Sequence, residues 1–514
     1  MLLILPFIVF MLACLLRAAG GPFWLAGNSD PSYLYLFNSL YILDGISPMF
    51  TDHPGTPLQV LIAGIIKCAH PFFSGEQRLI DAAAQAEGYL HIAWGSLLLF
   101  FCVSLWHVGM VVRKHTQSWM AGVCVQLPGI FLLSFPFTNL PVLANVSAET
   151  LLAGLMNIYV AVLLKLALPI TKGGVNAWKD VIFCACCSAA CLVTKLTFLP
   201  FIFLPVFFIT TWRRRLTYLA GVVVCSALLT FPIWPRLGKF SGWVWGLIFM
   251  TGAHGSGEPG FWNLAGFISS IFWVIQAFWI LFVLAAGGIV LGVVKGSGRL
   301  FVAKLSIVLS MFILFQLVFI AKQHGAQYMA PAVGVAGLLL AVILLMLGEN
   351  FSGVRYRNTQ WIIAGFLVSL VVMGAGRALA RAALLDAVRR DLTGFYQRVR
   401  DSNSECVKAG AYRSSSPGFA LFFGHSMHYY KGQRTLYFRY YGKMLASQYP
   451  DVYVYDYWTG RLSMFGRDIP VSQAAQDMGC IMVQSQESGR FPVNWWEEVD
   501  KSVTGEKLYR LRMK

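Results

Sequence analysis

Charge is scarce in this chain. Only 12% of its 514 residues are Asp, Glu, Lys or Arg, and just 23 are acidic. Soluble domains carry about a quarter charged residues, so this scarcity excludes an ordinary water-solvated globule. With 57% hydrophobic residues and a mean hydropathy of +0.64, lipid must be the main solvent. Internal repeats and low-complexity linkers are also lacking. No basic segment precedes the first apolar run, residues 1–19, and Arg17 lies near its far end, so a retained helix is expected rather than a cleaved signal peptide. The cluster Cys184, Cys186, Cys187 and Cys191 has no accompanying His or acid, which argues against metal binding and for small side chains packed between helices.

What the chain does have is apolar length. Crossing the hydrocarbon takes about 20 residues at 1.5 Å each. Eleven candidate spans lie near residues 2–19, 88–111, 118–134, 149–168, 180–196, 198–211, 216–233, 264–294, 300–320, 329–347 and 360–380. Thr194, Lys195 and Pro200 interrupt one long run and predict a tight external turn. Arg113 and Lys114, Lys172 and Lys179, Arg213 to Arg215, Lys295 and Arg299, and Arg355 and Arg357 fall in alternate loops, which are therefore cytoplasmic. The cation-poor loops 20–87, 135–148, 234–263 and 321–328 then face outward, and an odd number of spans exports the C-terminus. The net charge of +17 is scattered among spans, which argues against a nucleic-acid partner; membrane lipid, and anionic or phosphorylated lipid in particular, suits it better. Short loops suggest a bacterial inner membrane.

The expected fold is an α-helical multi-pass membrane body, residues 1–380, followed by a small C-terminal α/β domain, 381–514. Strand-like runs occur at 419–423, 451–457 and 480–484, and helical patterns at 433–449 and 471–478. Cys406 and Cys480 fall in this tail, where an oxidising compartment allows them to pair.

Polar residues concentrate in the outward loops. Asp30-Pro31 suits a helix start, with the carboxylate as N-cap, and apolar residues at helical spacing predict a surface helix over 31–44 that includes Tyr33. Asp30 is then either a cap or a base. Asp52-His53-Pro54-Gly55-Thr56-Pro57 is a metal pair, a proton relay or a set of turn residues, and leads into a second interfacial helix over 58–68, too short to span. Glu149, with Ser147 as a cap, opens a span. His254 and Glu258 lie in a glycine-rich loop suited to closing over a substrate or to being only a loop. Lys322, His324 and Tyr328 precede the tenth span, where Lys322 either snorkels or binds phosphate.

These features together resemble the GT-C superfamily of glycosyltransferases that use polyprenyl-phosphate sugars, including protein O-mannosyltransferases and lipid A aminoarabinose transferases. The shared features are an acidic residue early in the first external loop (Asp30), a surface helix, the His53-Pro54-Gly55-Thr56-Pro57 signal, Glu149 at a span start, the Thr194-Lys195 turn, Gln327-Tyr328-Met329-Ala330-Pro331, and an exported C-terminal domain. Two departures stand out: Pro31 follows Asp30 where many relatives carry a second acid, and Gln327 stands where an arginine commonly precedes the tyrosine.

The resemblance implies inverting transfer of a sugar to an acceptor hydroxyl on a lipid, glycan or protein. Asp30 is the implied base, Lys195, Arg236, Lys322 and His324 are candidates to stabilise the departing phosphate, and His53, Asp52, Tyr33, Glu149, His254, Glu258 and Tyr328 are candidates for substrate contacts. No cofactor is required by this chemistry, with a divalent cation left open. The alternatives are a transporter or flippase of lipid-linked saccharide, which would place ionisable groups in mid-span, and a polymerase or ligase of envelope glycans.

Overall fold

In the computed structural model the described residues are 2–51, 56–134, 140–167, 177–252, 257–260, 263–294, 300–323, 325–348, 354–402, 405–426, 441–457, 459–465, 467–486, 491 and 495–512. A helical body is formed by α1 (Ile4–Gly20), α2 (Ser29–Leu43), α3 (Thr56–Ala69), α4 (Gly75–Ala84), α5 (Ala86–Thr116), α6 (Trp119–Cys124), α7 (Pro128–Leu132), α8 (Ala148–Ala167), α9 (Trp178–Thr194), α10 (Trp212–Leu229), α11 (Leu237–Phe249), α12 (Leu264–Val294), α13 (Leu300–Ile320), α14 (Ala330–Gly348) and α15 (Val354–Asp401).

By length and apolar composition six helices can cross a membrane, or seven if the pair Trp212–Leu229 and Phe231–Phe249, bent by 75°, counts as one broken span. The expected eleven are therefore not all present as long helices among the described residues. Proline explains most of the difference. Pro128 separates α6 from α7 within the expected span at 118–134; Pro200 and Pro205 lie in a 3-10 helix, Leu196–Phe207, in place of a span at 198–211; and Pro232 and Pro235 lie in the short 3-10 helix Phe231–Arg236 at the bend. Each lacks the N–H that a continuous α-helix needs.

The first loop also departs from expectation. The helix over 31–44 forms as α2, but it does not lie on a surface: nearly every residue from Ser29 to Tyr41 is buried. Its partners are α3, α5 and a helix of the C-terminal domain, α16 (Pro417–Ser426). The contact with α16 is close. A Cβ on Gly424 would stand 2.8 Å from the Tyr33 carbonyl oxygen and 2.7 Å from the Phe37 ring.

The C-terminal domain is a mixed seven-stranded sheet in the order β4-β3-β2-β1-β5-β7-β6. Its strands are β1 (Val407–Gly410), β2 (Tyr453–Asp456), β3 (Arg461–Met464), β4 (Arg467–Pro470), β5 (Ile481–Ser485), β6 (Trp496–Lys501) and β7 (Lys507–Leu511). Central β1 runs parallel to β2 on one side and β5 on the other, and the remaining pairings are antiparallel. Two further helices, α17 (Lys443–Gln448) and α18 (Val471–Met478), accompany the sheet.

Residues 451–457 and 480–484 thus contain strands as expected, whereas 419–423 is helical. Pro417 at the first turn favours a helix, and Phe419 and Phe423, four apart, share one face against Leu34 and Val454. Of the helix expected at 433–449, only its end, α17, lies within the described residues. Cys406 and Cys480, just ahead of the parallel neighbours β1 and β5, form a disulfide.

Long α15 joins the two parts. It packs against α1 in the body, and its last turns bury Phe395 and Val399 against Met482 and Leu508. Asp391 accepts from the backbone N–H of Val503 and Thr504 at 3.1 and 2.8 Å, and Arg398 pairs with Asp500 at 3.1 Å.

Candidate functional site

The site forms where the first loop, the start of α8, the end of α9 and the C-terminal domain meet. After α1 the chain turns through two consecutive left-handed residues, Ala26 (φ 56°) and Gly27 (φ 72°), and Asp30 follows in extended conformation (φ −95°, ψ 117°). That conformation suits a cap. However, among the described residues the Asp30 carboxylate closes no hydrogen bond, so the capping role is not taken up.

Asp30 is half-buried by surface, yet it is so densely surrounded that burial is the leading influence on its carboxyl and raises it above the ordinary carboxylate range. Arg413 and Lys195 act in the opposite direction, and Glu149 adds to the rise. Three chain segments therefore bring their charges to bear on Asp30.

Glu149 lies in the first turn of α8. Ser147 caps that helix by accepting from the Thr150 N–H at 3.3 Å, as its position in the sequence suggests. Lys195 ends α9, and its Nζ meets Glu149 Oε1 at 2.7 Å with both side chains buried. The contact is an ion pair rather than a well-angled hydrogen bond. The ammonium also stands 5.6 Å from the ring centre of Tyr328, whose hydroxyl lies within the electrostatic reach of Lys195, Glu149 and Asp30. Asp30, Glu149, Lys195 and Tyr328 are thus brought together.

The other sequence candidates divide. Tyr33 donates to Glu87 at 3.0 Å, and Glu87 also accepts from the Phe23 N–H at 2.8 Å, so Tyr33 fastens the first loop to α5 instead of facing Asp30. Lys322 donates to the carbonyl of Ile248 in α11. Partial burial lowers its pKa. Glu258 is exposed beside the Met250–Pro259 bridge, and Arg236 ends the 3-10 helix at the bend; neither is among the leading charges on Asp30. Asp52, His53, His254 and His324 lie outside the described residues. Among those described, no group of three or more His, Cys, Asp or Glu is arranged to hold a metal ion.

Two residues were missed by the sequence reading. Tyr35 is fully buried near Glu149 and Asp30. Its hydroxyl approaches the Ala148 amide without closing a hydrogen bond, and burial with the two acids nearby raises the phenol well above its ordinary pKa, keeping it a neutral donor. Tyr33 and Tyr35 point to different faces of one helix, and only the second faces the acids. Arg413 comes from the loop after β1. Its signal, Gly410-Ala411-Tyr412-Arg413-Ser414-Ser415-Ser416-Pro417 as a strand-to-helix turn, is hidden once 419–423 is read as a strand.

An apolar cavity of about 470 Å³ lies within the helical body, lined by Trp273, Trp279 and Ala277 of α12, Leu340 of α14 and Arg377 of α15. Ala326, two residues from Tyr328, also lines it, so the cavity adjoins the cluster through the loop before α14.

No family model and no curated protein matches the sequence. Among solved structures the chain is similar to the crystal structure of ArnT from Cupriavidus metallidurans bound to undecaprenyl phosphate, with a TM-score of 0.52 and 13% identity, covering 98% of this chain and 97% of that one. It is also similar to the apo-state crystal structure of ArnT from the same organism, with a TM-score of 0.49 and 15% identity over 93% of each chain. At such identity the first of these likenesses shows the fold alone: the chain shares the architecture of that protein, body and C-terminal domain included.

Proposed function

We propose that this chain is an inverting glycosyltransferase that moves a sugar from a polyprenyl-phosphate donor to an acceptor hydroxyl of a lipid, glycan or protein, on the non-cytoplasmic face of a bacterial inner membrane. The observation that carries the reading is Asp30: a partly accessible carboxylate with no hydrogen bond among the described residues, within reach of Lys195 and Arg413. Two further observations support it. The fold is shared over the full chain with a protein crystallised with undecaprenyl phosphate. The apolar cavity beside the Tyr328 loop suits a prenyl chain.

In this reaction Asp30 takes the proton of the acceptor hydroxyl while that oxygen bonds to the anomeric carbon. The bond from that carbon to the phosphate oxygen breaks, and its electron pair stays on the phosphate. A phosphate leaves with little protonation, so one carboxylate suffices where glycoside hydrolysis uses two. Glu149 is committed to Lys195 and is no second base. The raised pKa of Asp30 makes it a stronger base than an exposed aspartate.

Charge supports this orientation. Arg113, Lys114 and Lys165 lie together around one cavity at the ends of α5 and α8 remote from Glu87 and Glu149, and cationic ends face the cytoplasm.

The test is incubation of the purified protein with a panel of polyprenyl-phosphate sugars and hydroxyl acceptors, with and without divalent cation. Release of lipid phosphate with transfer of the sugar, inverted at the anomeric carbon, is expected for one donor. Release from none of them would overturn the reading in favour of transport.

A further inference from the structure

We infer that Arg413, carried by the C-terminal domain, is the cationic contact for the phosphate of the lipid-linked donor, and that Glu506 and Ser415 are the positioning residues that hold it there. The inference deepens the glycosyltransferase reading and rests on it.

The first ground is placement. Arg413 follows central β1, which pairs in parallel with β2 on one side and β5 on the other. The loop after such a strand lies at a topological switch point, the crevice at the carboxyl ends of strands where open α/β sheets receive ligands. The loop turns tightly: a Cβ on Gly410 would stand 2.5 Å from Ser414 Oγ and 2.9 Å from Phe419 Cβ. It carries Arg413 across to the first loop of the body, where the arginine stem lies over Gly27. A Cβ added there would meet its Cβ and Cγ at 3.5 Å and its Cδ at 3.7 Å. Gly27 is three residues ahead of Asp30.

The second ground is what the guanidinium does not do. Arg413 is exposed, and among the described residues it closes no hydrogen bond or ion pair; its guanidinium stands 5.2 Å from the centre of the neighbouring Tyr412 ring. It acts electrostatically on Asp30 without forming an ion pair with it. Lys195 is bound to Glu149, and Lys322 is turned to a backbone carbonyl. Arginine has the planar donor fork that meets two phosphate oxygens at once.

The third ground is the cost of holding it. Arg413 has φ 63°, a left-handed conformation that a residue with a side chain disfavours. A buried clamp maintains it. Glu506 accepts from the Ser415 N–H at 2.7 Å, from Ser415 Oγ at 2.6 Å and from Gln484 Nε2 at 2.6 Å. Ser415 Oγ in turn accepts from the Ala26 N–H at 3.0 Å. A carboxylate buried in the C-terminal domain thereby locks both the Arg413 loop and the turn that leads to Asp30. When the bond between the anomeric carbon and the phosphate oxygen breaks, the electron pair left on the phosphate falls within the field of Arg413.

The experiment compares binding of a polyprenyl phosphate and of the matching polyprenol to full-length wild type, Arg413→Ala, Arg413→Lys and Glu506→Gln in lipid nanodiscs. Wild type should prefer the phosphate. Arg413→Ala should lose that preference by at least about tenfold, the low end of a hydrogen bond to a charged group, with polyprenol affinity unchanged; Arg413→Lys should keep part of it, and Glu506→Gln should fall between. An Arg413→Ala protein with wild-type phosphate preference overturns the inference and leaves the glycosyltransferase reading standing. A wild type without any preference overturns both. If Arg413→Ala also loses polyprenol, the lysine variant decides: it must retain phosphate preference, and its failure to do so overturns the assignment.

Discussion

Asp30 is held in a setting that costs the fold something, and that cost has a sign. Its carboxyl titrates above the ordinary value of 3.8 in the native protein, so between those two values the native state binds more protons than the unfolded chain, and stability falls as pH rises through that window. Above that window the ionised group is therefore a net liability. Asp30→Asn removes it, and is expected to abolish transfer while leaving the melting temperature unchanged or raised. An active Asn variant would remove Asp30 as the base. Transfer by wild type should fall as pH drops through the raised value, because the base must be ionised. The Glu149–Lys195 pair behaves oppositely. Both groups are buried, so removing one strands the other. Lys195→Ala should cost about 3–5 kcal/mol in denaturant unfolding, and Lys195→Met with Glu149→Gln should recover much of it.

At the scale of elements, α2 carries the site and explains which parts of it were readable. Asp30, Glu149, Lys195 and Tyr328 could be found because each sits at a visible punctuation: a proline after Asp30, a capping serine ahead of Glu149, a break in an apolar run at Lys195, a polar loop before a span at Tyr328. Local chemistry writes those signals. Tyr35 faces the acids through packing with a distant segment, and the turn that carries Arg413 is held by a contact of Ser415 with Ala26 across most of the chain; the local pattern of that turn shows only once 419–423 is read as a helix. The same limit placed α2 at a membrane surface, since its apolar residues match a lipid-facing helix until α16 is seen to cover them.

One joint between α2 and α16 is titratable. Tyr41 hydroxyl and His425 Nδ1 stand 3.1 Å apart, and burial lowers His425 from 6.5 to about 3. A histidine kept neutral in the native state contributes stability above its unfolded pKa that is lost as pH falls below it. By pH 5 the loss is about 2 kcal/mol. Melting temperatures of wild type should therefore decline between pH 6.5 and 5, and His425→Gln should flatten that limb. A wild-type curve without the decline would show that the joint does not titrate.

At the scale of the whole molecule, an apolar cavity and a charged cluster lie side by side. The cavity between α12, α14 and α15 is mainly apolar, and the charges on Asp30 come from loops at the end of the body and from the C-terminal domain. In the proposed function the prenyl chain occupies the first and its phosphate the second, with the loop of Ala326 and Tyr328 between them. Chain binding and chemistry should then be separable. Ala277 lines the cavity on exposed α12 surface, and tryptophan there fills space in it. Each buried methylene contributes about 0.8 kcal/mol, so displacing two or three isoprenoid carbons should raise KM for a long-chain donor by roughly ten- to fiftyfold. A water-soluble donor with a single isoprene unit, too short to reach the cavity, should be used by Ala277→Trp and wild type alike. Equal KM values for the long-chain donor would move the lipid tail to another surface of the body.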